Sequence, residues 1–296
     1  MRDDLPIIHE TDGRAEGLAV GRGGVLPRPE IPITTKDLLG VDLTHIIHID
    51  DVASAKPGTG GGGGGGGGTG GGTTYANYTS GAAGAYNITI EFKGTWTAAL
   101  HQTFVDAADF YSRLIVGDVA DVKVIGGKGA PRVVDDIYIS AELTNIDGSG
   151  GILGQAGPTS VRTTGSLPAT ATMQFDIADA NDFATLGLFD DIVYHEMGHS
   201  LGFGSIWDRL NLVDSSNHFT GATAIADNGG NPIIVEADGG SGTAGSHWDE
   251  ETYTNELMTG YIDNPNHYSY MSAGSFADLG YHLATNYHTV VDAIVL

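Results

Sequence analysis

Residues 195–199 read His-Glu-Met-Gly-His. On a helix, positions i and i+4 lie one above the other on the same face. His195 and His199 can therefore reach one metal ion, while Glu196 stands beside the open coordination position. This is the H-E-x-x-H arrangement with which zinc peptidases activate water. With 11 histidines in 296 residues, chance supplies about 0.01 such patterns, so two ordinary helix histidines are the weaker reading. Zinc in a hydrolytic site takes three protein ligands and leaves a fourth position to water. Gly202 follows at the distance where helices stop with a residue at positive φ. In the metzincin pattern the chain turns at that glycine and brings a third histidine three residues later, but position 205 is Ser205. The third ligand must come from farther on, and His218, His247, His267, Glu251 and Glu256 are the candidates.

These residues need elements to hold them. A helical pattern covers about 188–201, with Asp190 and Asp191 in a first turn whose dipole favours carboxylates. A second pattern follows Thr97 through Leu100, Phe104, Ala107, Ala108, Tyr111 and Leu114, an i, i+3, i+4 apolar face. Period-two alternation in 86–92 (YNITIEF) reads as a strand, as do 133–140 (VVDDIYIS) and 172–177 (TMQFDI). Residues 147–158 (DGSGGILGQAGP) read as a Gly-rich connection with more loop beyond. A short helix is expected at 275–279, and the apolar end 290–296 (VVDAIVL) reads as a closing strand or an uncleaved export signal. The order strand, helix, strands, helix, then an irregular C-terminal half implies an α+β fold with a mixed sheet.

Upstream, every position from 58 to 72 is glycine except Thr59 and Thr69. Such a tract cannot offset its ordering entropy, and as a coil it would span about 20 Å. The chain thus divides into an N-terminal extension (1–57), a Gly-rich linker (58–74) and a body (75–296). The extension carries His9, His45, His48, Asp50 and Asp51; it reads as a flexible leader or as a propeptide that offers one of these groups to a metal in the body.

Composition removes other classes. A net charge of −24 repels phosphate backbones, which argues against nucleic acid. The absence of cysteine excludes disulfides, thiolate metal sites and cysteine nucleophiles. No apolar run approaches the roughly 18 residues of a membrane span, and the first residues lack the apolar core of a secretory signal.

One family gathers several of these features. Residues 246–250 (SHWDE) and 255–260 (NELMTG), together with 147–158, 202–207 (GFGSIW) and 275–281 (SFADLGY), resemble the leishmanolysin-like zinc metallopeptidases. The likeness spans roughly 86–281. It implies a zincin/metzincin-like fold, zinc on His195, His199 and His247, and Glu196 as general base in the hydrolysis of protein or peptide substrates. It also implies structural support from Gly202 and from Met258, the methionine of a turn beneath the metal, with Met271 as the alternative. Tyr261, three residues after Met258, reads first as a packed tyrosine and second as a candidate for oxyanion stabilisation. Export to the cell exterior is implied as well. Many members are rich in disulfides, so here packing or bound ions must hold the loops.

An extended substrate would pair along a sheet edge, for which 172–177 is the candidate. Two other readings remain: a zinc-bearing binding module without activity, and a calcium-bound adhesive protein using the acidic loops 147–151 and 238–242.

Overall fold

The computed structural model describes residues 7–9, 72–125, 132–146, 148, 153–238, 243–263, 265–294 and 296. The extension apart from 7–9, the tract up to residue 71, and most of the loops 147–151 and 238–242 lie outside the described residues.

Strand β1 is Ile7–His9, followed by β2 (Tyr78–Thr79) and β3 (Ile88–Lys93). In β3 the expected alternation holds, with Ile88, Ile90 and Phe92 buried. Helix α1 (Ala98–Leu114) starts where the Thr97 hydroxyl accepts the Leu100 N–H at 3.2 Å, an N-cap of the usual kind. It buries the apolar face read from its spacing. Next come β4 (Val122–Ile125), β5 (Arg132–Val134), β6 (Ile137–Thr144), β7 (Gly154–Val161) and β8 (Pro168–Asp176). The main sheet has the order β2-β3-β6-β8-β7, in which β3, β6 and β8 run parallel while β2 and β7 are antiparallel edges. A smaller sheet, β1-β4-β5, puts Val122, Val124 and Val134 against Ala169 and Tyr138 of the main sheet. The fold is α+β with a mixed sheet.

Three corrections fall on the strands expected in the sheet. The stretch 133–140 is two strands in two sheets, because the chain breaks at Asp135 and Asp136. Asp136 is buried and its carboxylate accepts the N–H groups of Asn87 (2.7 Å) and Val119 (2.6 Å), while Arg162 donates to the carbonyls of both aspartates. Burial pushes the Asp136 carboxyl up to about 6 against those two hydrogen bonds. Second, 172–177 is not an edge: β8 lies between β6 and β7, and the edge is β7, a stretch that reads as loop in the sequence. Its glycines and Pro158 hide it from any periodicity rule, yet an edge tolerates proline because one side of its backbone needs no sheet partner. Third, β8 stops at Asp176, whose carboxylate caps the next helix by accepting the Ala178 N–H at 2.8 Å.

That helix, α2 (Ile177–Leu186), ends at Gly187 in the left-handed conformation (φ 71°) and leads into α3 (Phe189–Ser200). Short elements follow: α4 (Trp207–Leu210), α5 (Ala222–Asp227), α6 (Glu250–Tyr253), α7 (Tyr270–Leu279) and α8 (Tyr287–Asp292). The helix expected at 275–279 begins earlier, at a Ser269 cap, and of the closing strand expected at 290–296 the first residues, 290–292, are instead the end of α8. One apolar cluster runs from Tyr86 to Val291 and packs α1 and α3 on the sheet. Among the described residues no helix is long and apolar enough to cross a membrane.

Candidate metal centre

Helix α3 is buried on all sides from Asp191 to Ser200, as expected of a helix enclosed by the core. Neighbours come so close that a Cβ on Gly198 would lie 3.0 Å from both Met258 Cε and the Tyr111 hydroxyl. That hydroxyl donates to the Tyr194 carbonyl at 2.8 Å. The first turn is tied across to the later loop: Asp191 accepts from the Asn266 amide at 2.7 Å, and burial pushes its carboxyl up to about 6.

His195 and His199 project from the same face of α3. Beyond it Gly202, at φ 112°, reverses the chain so that the Phe203 carbonyl returns to His199 Nδ1 at 2.9 Å. A β-carbon would be strained at that φ. Ser205, which occupies the metzincin third-histidine position, donates to the His199 carbonyl at 2.8 Å. Gly204 (φ 65°) then passes the loop that carries His247, and a Cβ there would fall 2.1 Å from the Ser246 carbonyl oxygen.

His247 is fully buried on a segment held between two others. The Glu236 N–H donates to the His247 carbonyl, and the Trp248 N–H to the Met258 carbonyl, both at 3.0 Å. The Trp248 indole lies among Phe203, Trp207 and Phe219 with ring centroids 4.9–5.2 Å apart. Contacts of this kind are each worth about 0.5–1.5 kcal/mol beyond area burial, so they anchor the residue beside the histidine.

All three rings are oriented alike. Nδ1 of His195 faces the Leu257 carbonyl (2.7 Å), that of His199 the Phe203 carbonyl (2.9 Å), and that of His247 the Thr243 carbonyl (2.9 Å). A carbonyl only accepts, so each ring carries its proton on Nδ1. The three Nε2 atoms then present lone pairs to one another at 2.9, 3.0 and 3.2 Å. These separations are not hydrogen bonds, since no proton lies between them; they suit a shared cation. Tetrahedral zinc with Zn–N of about 2.0–2.1 Å separates its nitrogens by about 3.3 Å, a few tenths of an ångström wider than found. The donor set fits zinc, and the triad is placed to bind a metal ion.

Glu196 is fully buried one residue from His195. A Cβ on Gly154, the first residue of β7, would meet Glu196 Oε1 at 3.2 Å, so the edge strand begins at this carboxylate. Met258 is buried against Gly198, below the turn that carries both helix histidines. Met271 lies instead in the first turn of α7 and is not the methionine at this helix.

The other ligand candidates lie apart. His218 pairs with Asp214 at 3.6 Å on the half-exposed surface, and His267 and Glu251 are exposed. Glu256 is buried, but its oxygens accept from Met258, Ser269 and Ser272. Tyr261 is partly exposed, and its carbonyl accepts the Thr259 hydroxyl at 3.3 Å. Sequence reasoning missed Gly154 and Gly204 as site-forming residues. For Gly204 a signal existed, a second glycine two positions after the helix-ending one.

The family model for leishmanolysin matches residues 231–291. No curated protein sequence matches the chain. The matched segment holds His247, Trp248, Glu256 and Met258 but not α3, whose H-E-x-x-H pattern stands on its own. Through the stretch that brings the third histidine to the helix, this chain is similar to leishmanolysin, a family of metallopeptidases.

Proposed function

We propose that the chain is a zinc-dependent endopeptidase of metzincin type, with His195, His199 and His247 as ligands and Glu196 as general base. The observation that carries the reading is the convergence of three Nε2 lone pairs beside a buried carboxylate. Three neutral imidazoles would leave zinc its double charge, and the ion supplies Lewis acidity that acidifies a water and polarises a carbonyl. Glu196 takes the proton of the attacking water and delivers it to the leaving amine. Its side chain is fully buried beside Gly154, in a low-dielectric setting that strengthens electrostatic interactions.

The peptide substrate lies extended along β7 and adds a strand to the sheet. Main-chain pairing of this kind asks little of side chains and suits a broad substrate class. Gly202 sets the turn that aims His199, and Met258 gives the imidazoles a soft, apolar floor. Action outside the cell accords with the implied export.

Metal analysis paired with casein digestion, with and without a chelator, tests the whole reading. Glu196→Gln is expected to keep zinc while kcat falls about 10²–10⁴-fold. Wild-type turnover in that variant removes Glu196 from the role. Zinc loading without cleavage of any denatured protein supports the inactive binding module instead.

A further inference from the structure

Glu256 is a buried carboxylate that ligates nothing in the reading above, and its partners are unusual. Oε2 accepts the Met258 N–H at 2.6 Å. Oε1 accepts the Ser269 N–H (3.0 Å), the Ser269 hydroxyl (2.8 Å) and the Ser272 hydroxyl (2.5 Å). One side chain therefore ties the turn at 256–258 to the start of α7.

The Met258 N–H and the Leu257 carbonyl belong to one peptide unit. A trans peptide is planar, with its N–H and C=O pointing in opposite directions. Glu256 holds the N–H end, and the C=O end meets His195 Nδ1 at 2.7 Å. A second arm leads to the other half of the site. The Ser272 hydroxyl donates to Glu256 and accepts the Trp248 indole N–H at 2.7 Å, and Trp248 adjoins His247.

We propose that Glu256 is a positioning residue for the metal centre: by clamping the Leu257–Met258 peptide and, through Ser272, the Trp248 ring, it sets the orientation of His195 and His247 together. The inference rests on the reading of the histidine triad as a metal site. Groups that hold a ligating histidine from behind typically govern metal affinity by 10–100-fold. Glutamine at 256 would turn an NH₂ toward either the Met258 N–H or the serine donors, so one arm of the clamp must open.

The test uses the full chain with zinc alone and with cobalt(II) as a spectroscopic stand-in. Glu256→Gln is expected to weaken zinc binding, measured by chelator competition, by about 10-fold or more and to shift the visible bands of the cobalt protein. Ser272→Ala opens only the Trp248 arm and should produce a smaller shift of the same kind. Leu100→Ala, a packing change in α1 remote from the clamp, should lower thermal stability and leave the bands in place. A folded Glu256→Gln protein with wild-type affinity and spectrum overturns the proposal. If that variant does not fold, an unchanged spectrum in Ser272→Ala overturns it instead. Failure of the underlying reading looks different: the wild-type chain itself would bind neither ion, and the inference would fall with it.

Discussion

The two halves of the centre are held by different physics. His195, Glu196 and His199 ride on α3, where backbone hydrogen bonds set the spacing and burial on every side sets the rotamers. His247 sits on irregular chain, and its position is assembled from distant pieces: the aromatic cluster around Trp248, the Thr243 carbonyl, the passage past Gly204, and the clamp of Glu256 on the turn at 256–258. A helix specifies its geometry locally. A loop specifies it only through contacts that must all form at once, so the second half should be the easier one to disable without unfolding the protein.

The largest expected effect comes from removing the loop's contribution outright. His247→Ala should lose stoichiometric zinc, since two imidazoles from one helix turn leave too few protein ligands, while circular dichroism and α3 stay intact. Tight zinc in that variant would mean that the helix half suffices or recruits another ligand, and the two-part description would fail. Gly204→Ala is a gentler blow to the same half. Its backbone is left-handed and its new Cβ would collide with the backbone oxygen of Ser246, not with a side chain that could swing away. The strain and the overlap together should cost about 3 kcal/mol in denaturant unfolding and weaken zinc binding, because Ser246 precedes His247. An unchanged melting curve would show that the close passage tolerates a methyl group.

The same division explains what could be read in advance. Helix α1 announces itself by its Thr97 cap and its apolar spacing, and α3 by H-E-x-x-H, because periodic elements write their geometry into adjacent residues. Strand β7 does not: Gly154, Gly157 and Pro158 suit an edge strand but match a loop equally well. The split at Asp135 and Asp136 was invisible because Val133 and Val134 continue the strand-like run, while the cause of the break is a carboxylate that binds amides from residues 87 and 119. His247 was one candidate among five by residue type, and only the resemblance of its neighbours singled it out. By residue type Glu256 reads as a possible ligand, since a buried carboxylate held by donors of Ser269 and Ser272 cannot be foreseen from its own neighbourhood.

The smallest effect tests the joint between the halves. Asp191, in the first turn of α3, accepts from Asn266 of the loop half, and burial holds its carboxyl at about 6, above an unfolded value of about 3.9. The folded protein therefore binds this proton more tightly than the unfolded chain does. Stability is unaffected by Asp191 below the unfolded value. It declines as pH rises from there through about 6 and stays lower above, where the buried carboxylate must exist charged. Asp191→Asn keeps an oxygen for Asn266 and removes the charge. Relative to wild type it should gain about 1–3 kcal/mol at pH 8 over its difference at pH 4, read from urea unfolding at the two pH values. A difference that stays flat, or that grows toward acid, would show that the Asn266 contact favours the charged form more than burial opposes it. The helix and loop halves would then be joined by a contact that strengthens, not weakens, at neutral pH.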